Sequence, residues 1–449
     1  MQTDTRTVRD LLPAGALLPD DPGYDEARVS FNGILDRRPA AVVSCASTAD
    51  VVAAVRAGRA AGLPIAIRGG GHSVAGHSIP DGALVVSLDR MRTVDVDPER
   101  RLAHAGGGAQ WNDVDAAAFA HGLAVPGGTF GDTGIGGLTL GGGLGWLMPI
   151  AGLTCDNLVE AEVVTADGRV VIAGANGDPE LLWALRGGGG NFGVVTRFTY
   201  RLTAVGPMWG GTVQYDGGAA REVFERINEV YGAHPTLGMP TIGIHREPEL
   251  GLSISLLLGI VDSTDPETTI AELRRDLPIT ADDTGPRTYL ELQAMAGILP
   301  FGLRHYWKGH FLRDLDASTF ERLVATVGDD DAVGAAFILI EGMVGAGRTE
   351  PEGGAAFGQR AAAWNVSALA IWESPADDVT AIGWARRVAD LVEPRSLTGG
   401  GYVNYSPVDE SRERVMAAYG PDRYERLVAV KRRLDPENVF RFNHNVSPV

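Results

Sequence analysis

Glycine is concentrated in one part of this chain, in short blocks that follow patterned segments. Of the 449 residues, 60 are glycine, which is nearly twice the usual share of about 7%. Of these glycines, 29 lie in the stretch from Gly62 to Gly193. The densest blocks are residues 69–71, 106–108, 141–143 and 187–190. No fixed period joins them, which excludes a solenoid and a flexible linker. Glycine there permits positive φ and exposes N–H groups to oxygen anions, so we predict a ligand cradled by backbone.

Charge and cysteine content exclude several classes of protein. The 39 Lys and Arg against 57 Asp and Glu give a formal net charge of −18, which disfavours a nucleic-acid partner. No apolar run reaches transmembrane length, and the polar N-terminal segment has no signal-peptide pattern. Cys45 and Cys155 are the only cysteines, too few for a disulfide framework or a cysteine-built metal site. We expect a cytoplasmic enzyme with no membrane partner and no metal; its oligomeric state stays open.

The local patterns change twice along the chain, near residues 206 and 400. The first part predicts helices at 48–61, 109–120 and 178–186, and strands at 64–68, 83–88, 93–96, 101–105, 158–165, 169–172 and 194–202. Residues 125–145 are too rich in glycine to predict a regular element. The middle part predicts strands at 252–260, 334–341 and 364–372 and helices at 219–231, 266–275, 318–327 and 377–392. The last part predicts a strand at 401–405 and helices at 410–419 and 424–434.

The glycine blocks do not match the fingerprint of a doubly wound dinucleotide-binding sheet. Residues 187–193 (GGGGNFG) contain a G-x-G-x-x-G pattern, but the predicted helix precedes it and a strand follows. The fingerprint requires the opposite order, so a nicotinamide-cofactor site of this kind is disfavoured.

Six motifs, in order, resemble the FAD-linked oxidases of the vanillyl-alcohol-oxidase superfamily, and most closely its berberine-bridge-enzyme-like branch. They are RGGGHS (68–73), GDTGIGGLTLGGGLG (131–145), GLTCDNL (152–158), LRGGGGNFGVVT (185–196), YVNY (402–405) and DPENVFRFN (435–443). The resemblance implies an α+β fold. A PCMH-type FAD-binding domain would comprise residues 1–205 and 401–449, with a substrate domain, an antiparallel sheet flanked by helices, inserted at 206–400.

The resemblance also implies how the cofactor is held. In this family the histidine of RGGGHS, which here is His72, is bonded to the flavin 8α-methyl carbon. The alternative for His72 is an ordinary loop histidine, an interpretation that suits His77 better. Many relatives add a cysteine link, but the matching position here is Phe130. Cys155 lies beyond that loop and is interpreted as a small buried residue. We therefore expect covalent FAD with one bond, through His72.

The other cofactor contacts implied by the resemblance lie in the same motifs. They are Arg68, Gly69, Gly70, Gly71, Ser73, Thr133, Gly136, Gly137, Thr139, Gly142, Gly143, Gly193, Val194, Val195, Asn404 and Asn443. Thr133 matches a position that influences oxygen access to the flavin in the family. Its small polar side chain does not decide whether the enzyme is an oxidase or a dehydrogenase.

Substrate chemistry requires a proton acceptor near the flavin. The resemblance makes Tyr405 the candidate base, with Tyr402 beside it; a packed aromatic residue is the alternative for Tyr405. A tyrosine of ordinary pKa, about 10, needs a nearby cation or strong donor for this work. Strand alternation would put Tyr402 and Asn404 on one face, with Tyr405 on the other or at a bend. Some plant relatives use a glutamate of the substrate domain, but the matching stretch, which begins at Glu341 and ends at Ala346, offers none inside it, and this favours the tyrosine.

Candidate substrate-pocket residues lie on a predicted strand around residues 305–310. They are His305, Tyr306, Trp307 and His310, and alternation would place His305 and Trp307 on one face. Core packing is an equally good interpretation of all four.

The leading functional hypothesis is an FAD-dependent oxidase. It would take a hydride from an alcohol or activated C–H group of a small molecule, in aromatic or secondary-metabolite oxidation, with O2 as acceptor. A carbohydrate oxidase is one alternative, disfavoured by Phe130. The other is a protein that holds flavin as a cyclase or binding template without redox turnover.

Overall fold

The computed structural model describes residues 8–247, 251–328 and 333–449. Within these ranges the helices are α1 (Val8–Leu11), α2 (Tyr24–Ala27), α3 (Thr48–Ala60), α4 (Trp111–Phe119), α5 (Ile135–Leu140), α6 (Met148–Ala151), α7 (Pro179–Leu185), α8 (Ala220–Ala233), α9 (Pro266–Arg274), α10 (Tyr289–Ala294), α11 (Ala317–Gly328), α12 (Asp378–Val392), α13 (Arg412–Tyr419) and α14 (Pro421–Leu434). Four sheets hold the strands.

A small parallel sheet positions the first glycine block. Its strands are β1 (Ala41–Ser44), β2 (Ile65–Arg68) and β3 (Leu84–Ser87), with β3 in the centre. Helix α3 covers it through a shared apolar cluster, and Ser47 begins that helix by accepting a hydrogen bond from the Asp50 N–H group. Because β2 ends at Arg68, residues 69–71 leave the sheet at its edge.

A five-stranded antiparallel sheet carries the later glycine blocks. Its order is β4 (Val94–Asp97), β5 (Leu102–Gly106), β9 (Val194–Arg201), β7 (Leu158–Val164) and β8 (Val170–Gly174). A short ribbon of β6 (Leu123–Ala124) and β10 (Thr203–Ala204) lies apart from it. Helices α4, α7, α13 and α14 share its apolar core, so the end of the chain packs on the same layer as the beginning.

The largest sheet is antiparallel and has one face covered by helices. Its order is β14 (Ile279–Asp282), β11 (Met208–Asp216), β13 (Gly251–Ile260), β12 (Thr241–Glu247), β17 (Phe337–Gly342), β18 (Trp364–Trp372) and β16 (Arg304–Leu312), and β15 (Gly285–Arg287) also pairs with β11. Helices α8, α11 and α12 bury Phe224, Phe320 and Trp384 against one face. On the other face Trp307, Leu339 and Leu369 border a cavity. The predicted α+β architecture with a helix-flanked antiparallel sheet is confirmed.

A buried lysine ties the end of the chain to the fourth glycine block. Lys431 on α14 is fully buried, and its ammonium donates to Asp435 Oδ2 at 2.6 Å. It also donates to the backbone oxygens of Asn191, at 2.8 Å, and Phe440, at 2.9 Å. One side chain thus joins three separate segments beside the cavity.

Two predictions about local structure are wrong. Residues 401–405 do not form a strand: a 3₁₀ turn covers Val403–Tyr405, since the Tyr405 N–H group donates to the Tyr402 carbonyl at 2.9 Å. The glycine-rich stretch 125–145 contains helix α5. Glycine weakens an isolated helix by about 0.5–1 kcal/mol per residue. Here Ile135 and Leu140 of α5 bury their side chains in the apolar core of the five-stranded sheet, so tertiary packing overrides propensity.

Candidate active site

One elongated cavity runs between the glycine loops and the uncovered face of the large sheet. Most of the predicted site residues line it: Gly69, Gly70, Gly71, His72, Ser73, Thr133, Gly136, Gly137, Gly193, Val195, Tyr402, Asn404, Tyr405 and Asn443. Residues from both ends of the chain and from the large sheet therefore meet around one space.

The glycine loops approach each other more closely than side chains would permit. A Cβ on Gly70 would stand 2.4 Å from the Cα of Gly134, so the two loops touch backbone to backbone. At Gly137 and Gly190 a Cβ would meet no atom within 4 Å, although both residues line the cavity. The same wall contains a buried Asn443 Oδ1 without a hydrogen-bond partner in the described ranges. A long cavity with a glycine wall and unused polar atoms fits an extended dinucleotide such as FAD.

Five predicted contacts lie away from the cavity wall. Thr139 faces the other side of α5, where its hydroxyl bonds with Tyr200. Val194 points into the core beneath the parallel sheet, as strand alternation from Val195 requires. Gly142 packs against Phe357, and Gly143 donates its N–H to the Tyr402 hydroxyl. Arg68 donates to the carbonyl of Ala27 and lies against Gly71. These residues support the wall from behind.

His72 is held by aromatic rings and by a carboxylate. Its ring stacks on Phe31, with centroids 4.8 Å apart, and Phe301 meets it edge-on at 5.0 Å. Nε2 of His72 lies 3.3 Å from Oδ2 of Asp132. Asp132 is not among the predicted site residues, although it lies within the GDTG segment beside the predicted Thr133.

The turn at residues 402–405 brings both candidate tyrosines together. Their ring centroids lie 4.8 Å apart. The Tyr402 hydroxyl accepts from the Gly143 N–H at 2.9 Å and from the Asn404 amide at 2.9 Å. Of the two predicted placements of Tyr405, the opposite strand face is wrong and the bend is correct, because a 3₁₀ turn places residues three apart above one another.

Glu341 is the important residue that the sequence analysis missed. The expectation that residues 341–346 offer no glutamate to the site is wrong: Tyr405 donates its hydroxyl to Oε1 of Glu341 at 3.3 Å, and the Asn365 amide donates to Oε2 at 2.8 Å. Alternation along β17 was the available signal, because Glu341 lies two residues from Leu339, on the face toward the cavity.

Burial changes the acidity of this pair. Removal from water raises the pKa of Glu341 to about 7, against the opposing hydrogen bonds from Asn365 and Tyr405. Burial and the neighbouring Glu341 raise the pKa of Tyr405 well above its usual range. In the described ranges the hydrogen bond and ring contacts of the Tyr405 side chain are with Glu341, Tyr402 and Trp307, and none of these is a cation. The cationic partner that an ionised tyrosine requires is therefore missing from these contacts.

The predicted pocket residues divide between two faces of β16. His305 and Trp307 share the face toward the cavity, as predicted, with ring centroids 5.8 Å apart. Trp307 lines the cavity and meets Tyr405 edge-on at 5.6 Å, whereas His305 stacks behind Phe31 at 4.4 Å. Tyr306 bonds with Asp409 on the opposite face. His310 lies on that opposite face too, with its Nδ1 3.2 Å from the Ser396 hydroxyl. Tyr306 and His310 therefore pack in the interior and do not line the cavity.

Phe130, His77 and Cys155 occupy distinct places around the cavity. Phe130 lines it, at the position where the resemblance would place a second link. His77 is at the wall as well, with its ring edge-on to His444 at 4.9 Å. Cys155 is fully buried away from the wall, and burial raises the pKa of its thiol.

Residues 8–247, 251–328 and 333–449 contain no group of three or more His, Cys, Asp or Glu side chains arranged to hold a metal ion. None of their helices has the length and apolar character needed to cross a membrane.

Comparison with known proteins decides the family. Residues 39–174 match the model of an FAD binding domain, and residues 401–447 match the model named berberine and berberine like. The chain is 31% identical to (R)-6-hydroxynicotine oxidase of Paenarthrobacter nicotinovorans over 451 residues, which cover 96% of each protein. This chain belongs to the berberine-bridge-enzyme-like FAD-linked oxidoreductases.

Solved structures place this berberine-bridge-enzyme-like protein in the same fold. The crystal structure of 6-hydroxy-D-nicotine oxidase from Arthrobacter nicotinovorans superposes with a TM-score of 0.89 at 30% identity, over 98% of both chains. The BBE-like 1 protein of Physcomitrella patens shares the fold, with a TM-score of 0.87 at 23% identity, over 97% of this chain and 98% of that one. The PCMH-type FAD-binding fold is thus confirmed, and the protein is an FAD-dependent oxidase of small organic molecules.

Proposed function

We propose that the protein oxidises a small, largely apolar substrate at a carbon bearing a hydroxyl or amino group, with Tyr405 and Glu341 removing the proton. The observation that carries this proposal is the buried Tyr405–Glu341 hydrogen bond at the cavity wall. FAD, when bound, accepts the hydride, and O2 is the proposed final acceptor.

The wall around Tyr405 supports an apolar substrate. This part of the cavity is lined by Trp307, Leu299, Leu339 and Leu369. Their side chains offer one N–H donor, the indole of Trp307, and are otherwise hydrocarbon. A sugar needs a polar partner for each of several hydroxyl groups, because an unpaired buried hydroxyl costs about 1–3 kcal/mol. An aromatic or aliphatic alcohol or amine has only one polar group that needs a hydrogen-bond partner, and Tyr405 supplies that partner. This disfavours the carbohydrate-oxidase alternative.

The proton path uses two residues because neither alone is suited to the task. Tyr405 reaches the cavity, but its hydrogen bond and ring contacts in the described part of the chain include no cation to stabilise a phenolate. Glu341 has a pKa of about 7 but lies behind the tyrosine. If the substrate hydroxyl gives its proton to Tyr405 Oη as Tyr405 passes its own proton to Glu341 Oε1, no phenolate accumulates. Tyr402 already accepts two N–H groups, so its remaining proton suits it to donate a hydrogen bond.

We further propose that residues 1–205 and 401–449 hold FAD and that residues 206–400 supply the substrate wall. His72 would carry the covalent bond, and the glycines at 69–71, 136 and 137 would lie along the cofactor. Phe130 at the wall and Cys155 behind it favour a single link.

The pH dependence of kcat/KM is expected to have an acid limb near pH 7. Glu341 must be ionised to accept the proton, so activity should rise about tenfold per pH unit below its pKa of about 7 and level off above it. Steady-state rates from pH 5 to pH 9 measure this. Asp115 provides a control, since burial also raises its pKa to about 7 while it bonds with Gln293 away from the cavity wall. The acid limb should disappear in Glu341→Gln and persist in Asp115→Asn; the reverse result would exclude Glu341.

Acid precipitation is expected to leave yellow flavin in the pellet of the wild-type protein and of Cys155→Ala, but not of His72→Ala. His72 lines the cavity while Cys155 is buried away from it, so only the first can reach the cofactor. In-gel fluorescence and the intact mass report the bond directly. Flavin lost from the pellet only in Cys155→Ala would contradict the assignment.

The reaction class is tested by anaerobic mixing with a panel of substrates. (R)-6-hydroxynicotine, benzyl alcohol and 1-phenylethanol represent the apolar class, and cellobiose represents the sugars. Bleaching of the flavin by an apolar substrate, with its colour restored by air, is the expected result. Bleaching by cellobiose alone would favour the carbohydrate oxidase. A flavin that no member bleaches, with dithionite as positive control, would favour a protein without redox turnover.

A further inference from the structure

Asp132 is the one carboxylate that the described part of the chain records against His72. Oδ2 lies 3.3 Å from Nε2, and the two side chains are 18% and 11% exposed. The other carboxylate oxygen, Oδ1, and Nε2 of His72 are both buried, and neither makes a hydrogen bond among the described residues, so the 3.3 Å approach is a close contact of the two groups. The carboxylate therefore keeps its capacity to accept a proton from the imidazole.

The backbone on both sides of Asp132 is held in place by the start of helix α4. The Asn112 N–H group donates to the Gly131 carbonyl at 2.7 Å, and the Trp111 N–H group donates to the Thr133 carbonyl at 3.1 Å. The adjoining Gly134 touches Gly70 backbone to backbone. Asp132 and His72 thus lie on two loops locked against each other, which fixes the spacing of their side chains.

The aromatic rings around His72 restrict how its imidazole can turn. Phe31 covers one face and Phe301 meets the ring edge-on. With the ring held and Nε2 beside Asp132, the carboxylate favours the tautomer that carries its proton on Nε2. Nδ1 then has the free electron pair, and it is the nitrogen left to form a bond.

We propose that Asp132 is the positioning residue for covalent attachment of FAD to His72. The inference rests on the proposed His72 link. His72 would bond through Nδ1 to the flavin 8α-methyl carbon in place of one of its hydrogens, a two-electron oxidation in which a proton would leave that carbon and the flavin would be the oxidant. The imidazole releases its Nε2 proton toward Asp132. Dioxygen then removes the two electrons and, with the two released protons, becomes hydrogen peroxide, leaving an oxidised and linked flavin.

The test compares Asp132→Asn, Asp132→Glu and the wild-type holoenzyme. Asn keeps the size of the side chain but removes the negative charge, so the fraction of flavin that survives acid precipitation should fall about tenfold or more. Flavin released from Asp132→Asn into the supernatant should bring its total close to that of the wild type, and its melting temperature should not change. Asp132→Glu should restore linkage on prolonged aeration. Asp89→Asn, an exposed aspartate outside the cavity wall, is the matched control.

The outcomes separate this inference from the proposed function. A wild-type extent of linkage in Asp132→Asn would overturn it while leaving the His72 link intact. Loss of all flavin from Asp132→Asn, bound or linked, would also overturn it, because Asp132 would then serve binding. A wild-type protein whose flavin is entirely released by acid would defeat the His72 link itself.

Discussion

Replacing Tyr405 by phenylalanine is expected to slow substrate-driven reduction of the bound flavin by about 10²- to 10⁴-fold. The change removes one oxygen, the only atom of this side chain that can take a proton from the substrate and pass it to Glu341. The aromatic contacts with Trp307 and Tyr402 stay available to phenylalanine. Flavin content should therefore equal that of the wild type. Stopped-flow absorbance under anaerobic conditions measures the step.

Glu341→Gln is the companion variant, and Tyr306→Phe is the control. Glutamine keeps the volume of Glu341 and its contact with Asn365 but cannot accept the proton, so a similar loss is expected. Tyr306 bonds with Asp409 on the face of β16 away from the cavity, and loss of its hydroxyl should leave the reduction rate within about twofold. Wild-type rates in both Tyr405→Phe and Glu341→Gln would refute the proton path.

Substituting methionine for Lys431 is expected to destabilise the protein by about 3–5 kcal/mol, the usual cost of breaking a buried ion pair. Methionine leaves the Asp435 carboxylate buried beside two carbonyl oxygens that have lost their donor. Burial lowers the pKa of Lys431, whereas its bond with Asp435 acts in the opposite direction. Urea unfolding followed by fluorescence measures the change. FAD affinity should weaken too, because Asn191 directly follows the fourth glycine block, residues 187–190.

Arg433→Met on the same helix is the matched control. Arg433 is 49% exposed and pairs with Asp178 at the surface, where such pairs contribute about 0–1 kcal/mol. The two variants remove the same type of charge a half-turn apart, so any difference reports burial. Equal losses of unfolding free energy in the two variants would show that the buried contacts of Lys431 stabilise the protein no more than a surface ion pair does.

The glycine cradle was predictable because its signal is local. A glycine block after a strand has few roles other than close approach, and Gly70 and Gly137 line the cavity as expected. The six motifs extended this local signal to His72, Asn404 and Tyr405, each of which the structure also places at the wall. Thr139 and Val194 lie elsewhere, because a motif names consecutive residues whereas a helix or strand turns alternate residues away.

The residues that the sequence analysis missed act through distant partners. Asp132 meets His72 only because two loops touch at Gly70 and Gly134. Glu341 meets Tyr405 across 64 positions, after residues 402–405 form a 3₁₀ turn where a strand was predicted. Alternation along β17 places Glu341 on the face toward the cavity but does not name its partner, and Asp132 has no local pattern that distinguishes it from the other acidic residues of an acidic chain.

The sequence by itself determined the kind of ligand, the family and the alternation of secondary structure, because these depend on glycine blocks, turn residues and periodicity over short stretches. Only the tertiary structure decided the acid–base chemistry. The pKa of Glu341 depends on complete burial between Asn365 and Tyr405, and the partner of His72 depends on which loop lies against it. Burial and proximity are sums over the whole packed chain, so no short stretch of sequence records them.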